Sequence, residues 1–139
     1  MEKSKLVIAL LVVSGSIGIG IGAALLFAPV AFEASAGIQL GQNNTLLSEL
    51  RASGGTLLVA GVLIMYGAFN SRMTFNSIML SSLFYLSYGL SRIFSMLIDG
   101  MPNQSLVIAT IVEIVIGVLS LFVFVNLKSK RNSKVWKYL

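Results

Sequence analysis

Four apolar stretches, residues 6–28, 46–69, 73–98 and 105–127, take up most of this 139-residue chain. Each reaches or exceeds the roughly 20 residues that cross about 30 Å of hydrocarbon at a rise of about 1.5 Å per residue. In that layer backbone polar groups find no water, so a spanning segment must satisfy them internally, as a helix does. The stretches predict an all-α, four-helix transmembrane bundle with antiparallel neighbours, its helices over about 6–28, 45–69, 73–98 and 104–127. One transmembrane domain then fills residues 1–139, ending in a basic tail at 128–139. Composition agrees: 11% of residues are charged, where a soluble domain carries about 25%.

Several chemistries are missing. The chain has no cysteine and no histidine, which removes disulfides, thiolate nucleophiles, the commonest general base and the usual zinc and haem ligands. No nucleophile–base pair, metal set or phosphate loop stands out. The expectation is a protein that is not an enzyme and uses no cofactor and no metal.

The net charge of +5 is unevenly placed. Lys3 and Lys5 precede the first helix, Arg72 lies in the turn between the second and third, and Lys128, Lys130, Arg131, Lys134 and Lys137 follow the fourth. The other connections carry Glu33, Glu49 and Asp99 and no lysine. This positive-inside pattern predicts both termini in the cytoplasm and a multi-pass location in the cell inner (cytoplasmic) membrane. The basic tail, with Trp136 and Tyr138 interleaved, suits anionic headgroups. The partner expected is therefore the lipid bilayer and no nucleic acid. Lys3, Lys5, the apolar run and Ala34-Ser35-Ala36 imitate a secretory signal, but a signal's apolar region spans about 7–15 residues, fewer than 6–28. A retained helix is expected.

Punctuation fits the four segments. Pro29 closes the first helix, and residues 30–44 read as a long, small and polar loop, with Gln42 among its members. Asn44 or Thr45 is placed to cap the second helix, with Ser48 and Glu49 in its first turn. Asn70-Ser71-Arg72 is short enough to force helices two and three antiparallel. Asp99-Gly100-Met101-Pro102-Asn103 has the aspartate, glycine and proline of a turn.

Small residues recur four apart in the first helix: Ser14, Gly18 and Gly22, with Ser16, Gly20 and Ala24 on the next face. Such grooves admit a neighbouring helix. The partner is either another helix of the same chain, with Gly54 and Gly55 as further packing positions, or a second copy in a homo-oligomer or membrane complex.

Ionisable residues at membrane depth are costly, about 2.5–3.5 kcal/mol at a helix centre, and mark functional sites by default. Three occur here. At about 1.5 Å per residue, Arg92 lies about 10 Å, Glu113 about 12 Å and Arg51 about 9 Å from the non-cytoplasmic ends of their helices. They are expected to share one layer. Thr74, Ser77, Ser81, Tyr85, Tyr88, Arg92, Ser95 and Asp99 follow one another at spacings of three and four, so they form one polar stripe on the third helix. Thr110, Glu113, Gly117 and Ser120 do the same on the fourth; Ser48, Arg51, Gly54 and Gly55 share a side of the second. The stripes are expected to face inward, where Glu113 accepts from Arg51, Arg92 or both and Tyr85 and Tyr88 supply hydroxyls. Two readings stay open. In one, Arg51, Arg92, Glu113, Tyr85, Tyr88 and Asp99 form a structural ion-pair cluster that fixes helix register. In the other they line a pocket open to the non-cytoplasmic side, where one arginine neutralises Glu113 and the other holds an anionic or lipid-like ligand.

Four motifs carry a resemblance: Arg51-Ala52-Ser53-Gly54-Gly55, Gly89-Leu90-Ser91-Arg92-Ile93-Phe94-Ser95, Asp99-Gly100-Met101-Pro102, and Glu113 in the fourth helix. From residue 46 to the end of that helix, and more loosely through the first, the chain resembles a bacterial family of short four-helix membrane proteins catalogued as domain of unknown function 4345. The resemblance implies the bundle and the same charged residues, and it implies no activity. A binding or accessory subunit suits so polar a core with so little mass outside the membrane. The alternatives are a small proton-coupled transporter using Glu113 and a purely structural membrane subunit. The transporter is disfavoured because adjacent arginines compete with a proton for the carboxylate.

Overall fold

The structure is a computed structural model that describes residues 4–41 and 43–135, the last six as backbone alone. Lys3, Gln42, Trp136, Lys137 and Tyr138, and the side chains of Lys130, Arg131 and Lys134, lie outside the described residues. The described chain is all helical, in the order α1 Lys5–Phe27, α2 Pro29–Ser35, α3 Asn44–Phe69, α4 Thr74–Asp99 and α5 Gln104–Val135. Three helical segments are long and apolar enough to cross a membrane: Lys5–Phe27, Asn44–Phe69 and Gln104–Ser129. α4 is equally long at 26 residues but carries a polar face along its whole length, and it is not among them.

Two antiparallel pairs make up the fold. In the first, α1 lies against α3 through glycine. Gly18 faces Gly61, and a Cβ added to Gly22 would sit 2.7 Å from the Leu58 Cα and 2.8 Å from the Gly54 carbonyl oxygen. Backbone atoms cannot retreat as a flexible side chain can, so only glycine permits this approach. In the second pair, α4 runs against α5, with Gly89 beside Ile114 and Gly117 beside Leu86. The α3–α4 turn joins the pairs, and α4 ties them together with hydroxyls. Thr74 donates to the Gly67 carbonyl (2.9 Å) and Ser77 to that of Leu63 (2.7 Å). Ser81 meets Ser120 of α5 (2.9 Å), and Tyr85 donates to the Ser14 carbonyl of α1.

Burial is sorted as lipid would sort it. Ser14, Ser77, Ser81 and Ser120 are almost fully buried beside Leu11, Ile64 and Ile78. Leu83, Leu90, Ile111, Val118 and Phe122 face outward. Apolar side chains on the outside cost nothing in hydrocarbon, whereas hydroxyls must find partners within the protein.

The structure corrects four local expectations. Residues 29–35 form α2 instead of the start of a loop, because a proline at the first helical position loses no hydrogen bond. The cap of α3 is Asn43, whose side chain accepts from the Leu46 N–H at 3.1 Å, so Ser48 and Glu49 lie beyond the first turn. α5 continues past residue 127 to Val135, since lysine and arginine are good helix formers. Gly55 has nothing within 4 Å of an added Cβ and is not a packing position.

Candidate functional site

Arg92 and Glu113 are brought together by register. Gly89 sits one turn before Arg92 on α4 and Gly117 one turn after Glu113 on α5, and each lets a side chain of the opposite helix close in. The helices are thereby held close enough for the Arg92 Nε to donate to both carboxylate oxygens of Glu113, at 3.0 and 3.2 Å. Glu113 keeps 14% of its side-chain exposure and Arg92 33%. This is the one ion pair among the described residues.

The other predicted residues disperse. Arg51 does not reach Glu113: it donates to the carbonyl of Leu26, in the last turn of α1. Helical phase explains this. Arg51 shares a face with Gly54, and Gly54 is pressed against Leu25 and Leu26, so that face belongs to α1. The donation satisfies one of the carbonyls a helix C-terminus leaves over, with positive charge where the dipole favours it. Tyr85 is spent on Ser14. Tyr88 stacks on Phe84 with ring centroids 5.1 Å apart. Asp99 accepts from Ser95 at 2.9 Å and is exposed at the end of α4. Of the packing glycines, Gly18, Gly22 and Gly54 all lie in the α1–α3 contact of the same chain.

The charge balance is therefore one cation to one anion. Arg92, however, uses Nε alone. Among the described residues its two terminal amino groups hydrogen-bond to nothing. Arg92 also borders a recess of about 80 Å³, together with Ser95, Met96, Gly100, Pro102 and Leu106. The α4–α5 turn gives the recess Gly100 and Pro102; Gly100 makes that turn at φ +95°, and Asn103 caps α5 by accepting from the Leu106 N–H at 3.1 Å. Met96 is shared with a larger, open groove between α4 and α5 of about 350 Å³, lined almost wholly by apolar side chains including Ile93, Ile111, Ile114 and Val115. Sequence reasoning missed the groove and the part of the turn in the recess. The available signal was that Arg92, Ser95, Met96 and Asp99 follow at helical spacing toward the turn.

A family model described as Domain of unknown function (DUF4345) matches residues 7–124. No curated protein and no solved structure matches the chain.

Proposed function

We propose that this chain, which belongs to the family described as a domain of unknown function (DUF4345), is a non-enzymatic binding or accessory subunit of the membrane. In this reading α1, α3, α4 and α5 all span as a four-helix bundle. Lys5, Arg72 and Lys128 mark the cytoplasmic side, and the α4–α5 turn lies on the opposite face of a cell inner membrane. The Arg92 recess then opens toward the non-cytoplasmic side and takes the anionic group of a lipid-like molecule.

The observation that carries this reading is the partial use of Arg92. A guanidinium bonded through Nε still has its outer fork of donors, the geometry that binds carboxylate or phosphate. A purely structural subunit is the second reading, favoured by the balance of one cation against one anion. Both oxygens of Glu113 accept from Arg92.

The test compares the wild-type protein with the double variant Arg92→Met, Glu113→Met, each purified in mild detergent and extracted for mass spectrometry of bound amphiphiles. The ligand reading expects an anionic amphiphile on the wild type and its loss from a folded double variant. The same amphiphile profile on both proteins leaves only the structural subunit.

A further inference from the structure

The core that joins the four long helices is one-ended. It runs from Val7 to Ile17 on α1, Ile64 to Ala68 on α3, Ile78 to Tyr85 on α4 and Ile116 to Leu127 on α5. All of these segments lie toward the α3–α4 turn. Past Tyr85 on α4, and before Ile116 on α5, no described residue belongs to that core. Each pair still closes internally there, one through Gly22 and Gly54, the other through Gly89 and the Arg92–Glu113 ion pair.

Helical phase shows what is missing between the pairs. Residues 18 apart stand five full turns apart and face the same way. Thr74 and Ser77 are buried and donate to carbonyls of α3. Arg92 and Ser95 stand 18 residues further along the same side of α4, yet Arg92 is partly exposed and Ser95 is exposed. The same change occurs on α5, where Leu106, Ala109, Glu113, Ile116, Ser120 and Val123 follow at spacings of three and four. The last three are buried and the first three only half-buried. The pairs cover each other at one end and leave each other uncovered at the other.

Among the described residues one hydrogen bond bridges the uncovered end. Asn103 donates its side-chain N–H to the carbonyl of Ala36, just past α2, while its Oδ1 caps α5. The acceptor sits in a closed helix end: the N–H groups of Gly37 and Ile38 return to the carbonyls of Ala34 and Glu33, with Gly37 at φ +80°, as in a Schellman motif. At the start of the same segment Pro29 is almost fully buried. Residues 29–38 therefore form an ordered strap from the end of α1 to the start of α5.

We infer that this strap, through its Asn103–Ala36 clasp, holds the two helix pairs together at the end bearing the α4–α5 turn, and that releasing the clasp lets the pairs part there about a hinge at the Tyr85–Ser14 contact. Parting bares the sides of α4 and α5 that carry Arg92 and Glu113, so the clasp sets how far that ion pair is exposed. The inference goes beyond the anion-binding reading and does not depend on what Arg92 binds.

The clasp can be cut without uncapping α5. Aspartate and serine cap a helix about as well as asparagine, but aspartate has no N–H to donate and serine is too short to reach Ala36. The chain has no cysteine, so spin labels can be placed on introduced pairs in the full chain in mild detergent. Glu49→Cys with Met101→Cys spans the turn end, and Phe69→Cys with Lys128→Cys spans the other; all four positions are exposed. Tyr85 and Asp99 are 14 residues apart, about 21 Å of helix, so a tilt of about 10° moves the turn end by about 4 Å. Pulsed dipolar distances between 49 and 101 should lengthen by about that much in both Asn103→Asp and Asn103→Ser, and those between 69 and 128 should stay as in the unsubstituted background. An unchanged 49–101 distance in either variant overturns the clasp. Equal lengthening at both ends overturns the hinge. Bound amphiphile extracted from the same proteins reports on Arg92 separately: its absence removes the anion site and leaves the distances to judge the clasp.

Discussion

Arg92 and Glu113 are a coupled pair, and coupling shows in how variants combine. Changing Arg92 to Met leaves a carboxylate in an apolar helix contact with no cation, a loss below the about 3–5 kcal/mol of a fully buried pair, since the pair is partly exposed. Changing Glu113 to Met strands the arginine in the same way. Changing both removes the two charges together, so the double variant should melt closer to the wild type than either single variant does. Thermal melts in one detergent check this; single-variant losses that simply add would show that the pair is not coupled. Arg51 predicts a contrast. Arg51→Met loses a donor to one carbonyl at the end of α1, about 0.5–1.5 kcal/mol, and should leave bound amphiphile unchanged. Its three-residue spacing to Gly54 was legible in the sequence, but depth alone placed it with Arg92. Depth fixes a layer; only the packing partner of the helix face decides which charges in that layer meet.

At the scale of elements, glycine and hydroxyl positions set how the helices pair. Gly22 and Gly20 stand on the same helix two residues apart, one pressed on the backbone of α3 and the other with nothing within 4 Å of an added Cβ. Gly22→Ala should lower stability by about 1–3 kcal/mol through overpacking. Gly20→Ala should be neutral or stabilising by up to about 1 kcal/mol, because alanine is the better helix former. Melting curves of the two variants read the difference, and equal behaviour would mean that α1 does not lie on α3 through Gly22. The stripe on α4 was legible from its spacing of three and four, and its members Thr74, Ser77, Ser81 and Tyr85 are buried as that spacing requires. Their distribution over three helices was not legible, since spacing on one helix names no partner on another. α2 escaped for a related reason: Pro29 stops one helix and starts the next with the same fixed backbone angle.

At the scale of the whole molecule, α4 ties the account together. It holds α3 through Thr74 and Ser77, α1 through Tyr85 and α5 through Ser81 and Arg92. With that polar face it is not among the segments long and apolar enough to cross a membrane, and the four-span topology depends on its crossing beside α5. In the four-span reading its buried hydroxyls are tolerable at membrane depth because they are turned to neighbouring helices and not to lipid, and Arg92 is tolerable because Glu113 pairs with it. The direct measurement is the sidedness of single cysteines placed at Ser71 and Asn103, the two ends of α4, labelled in intact cells with a membrane-impermeant thiol reagent. The native chain has no cysteine, so each label reports one position. The account predicts that Asn103→Cys reacts from outside and Ser71→Cys only after the membrane is permeabilised. Reaction of both positions from the same side would mean that α4 does not cross, and would contradict the four-span bundle and the membrane-embedded Arg92–Glu113 site together.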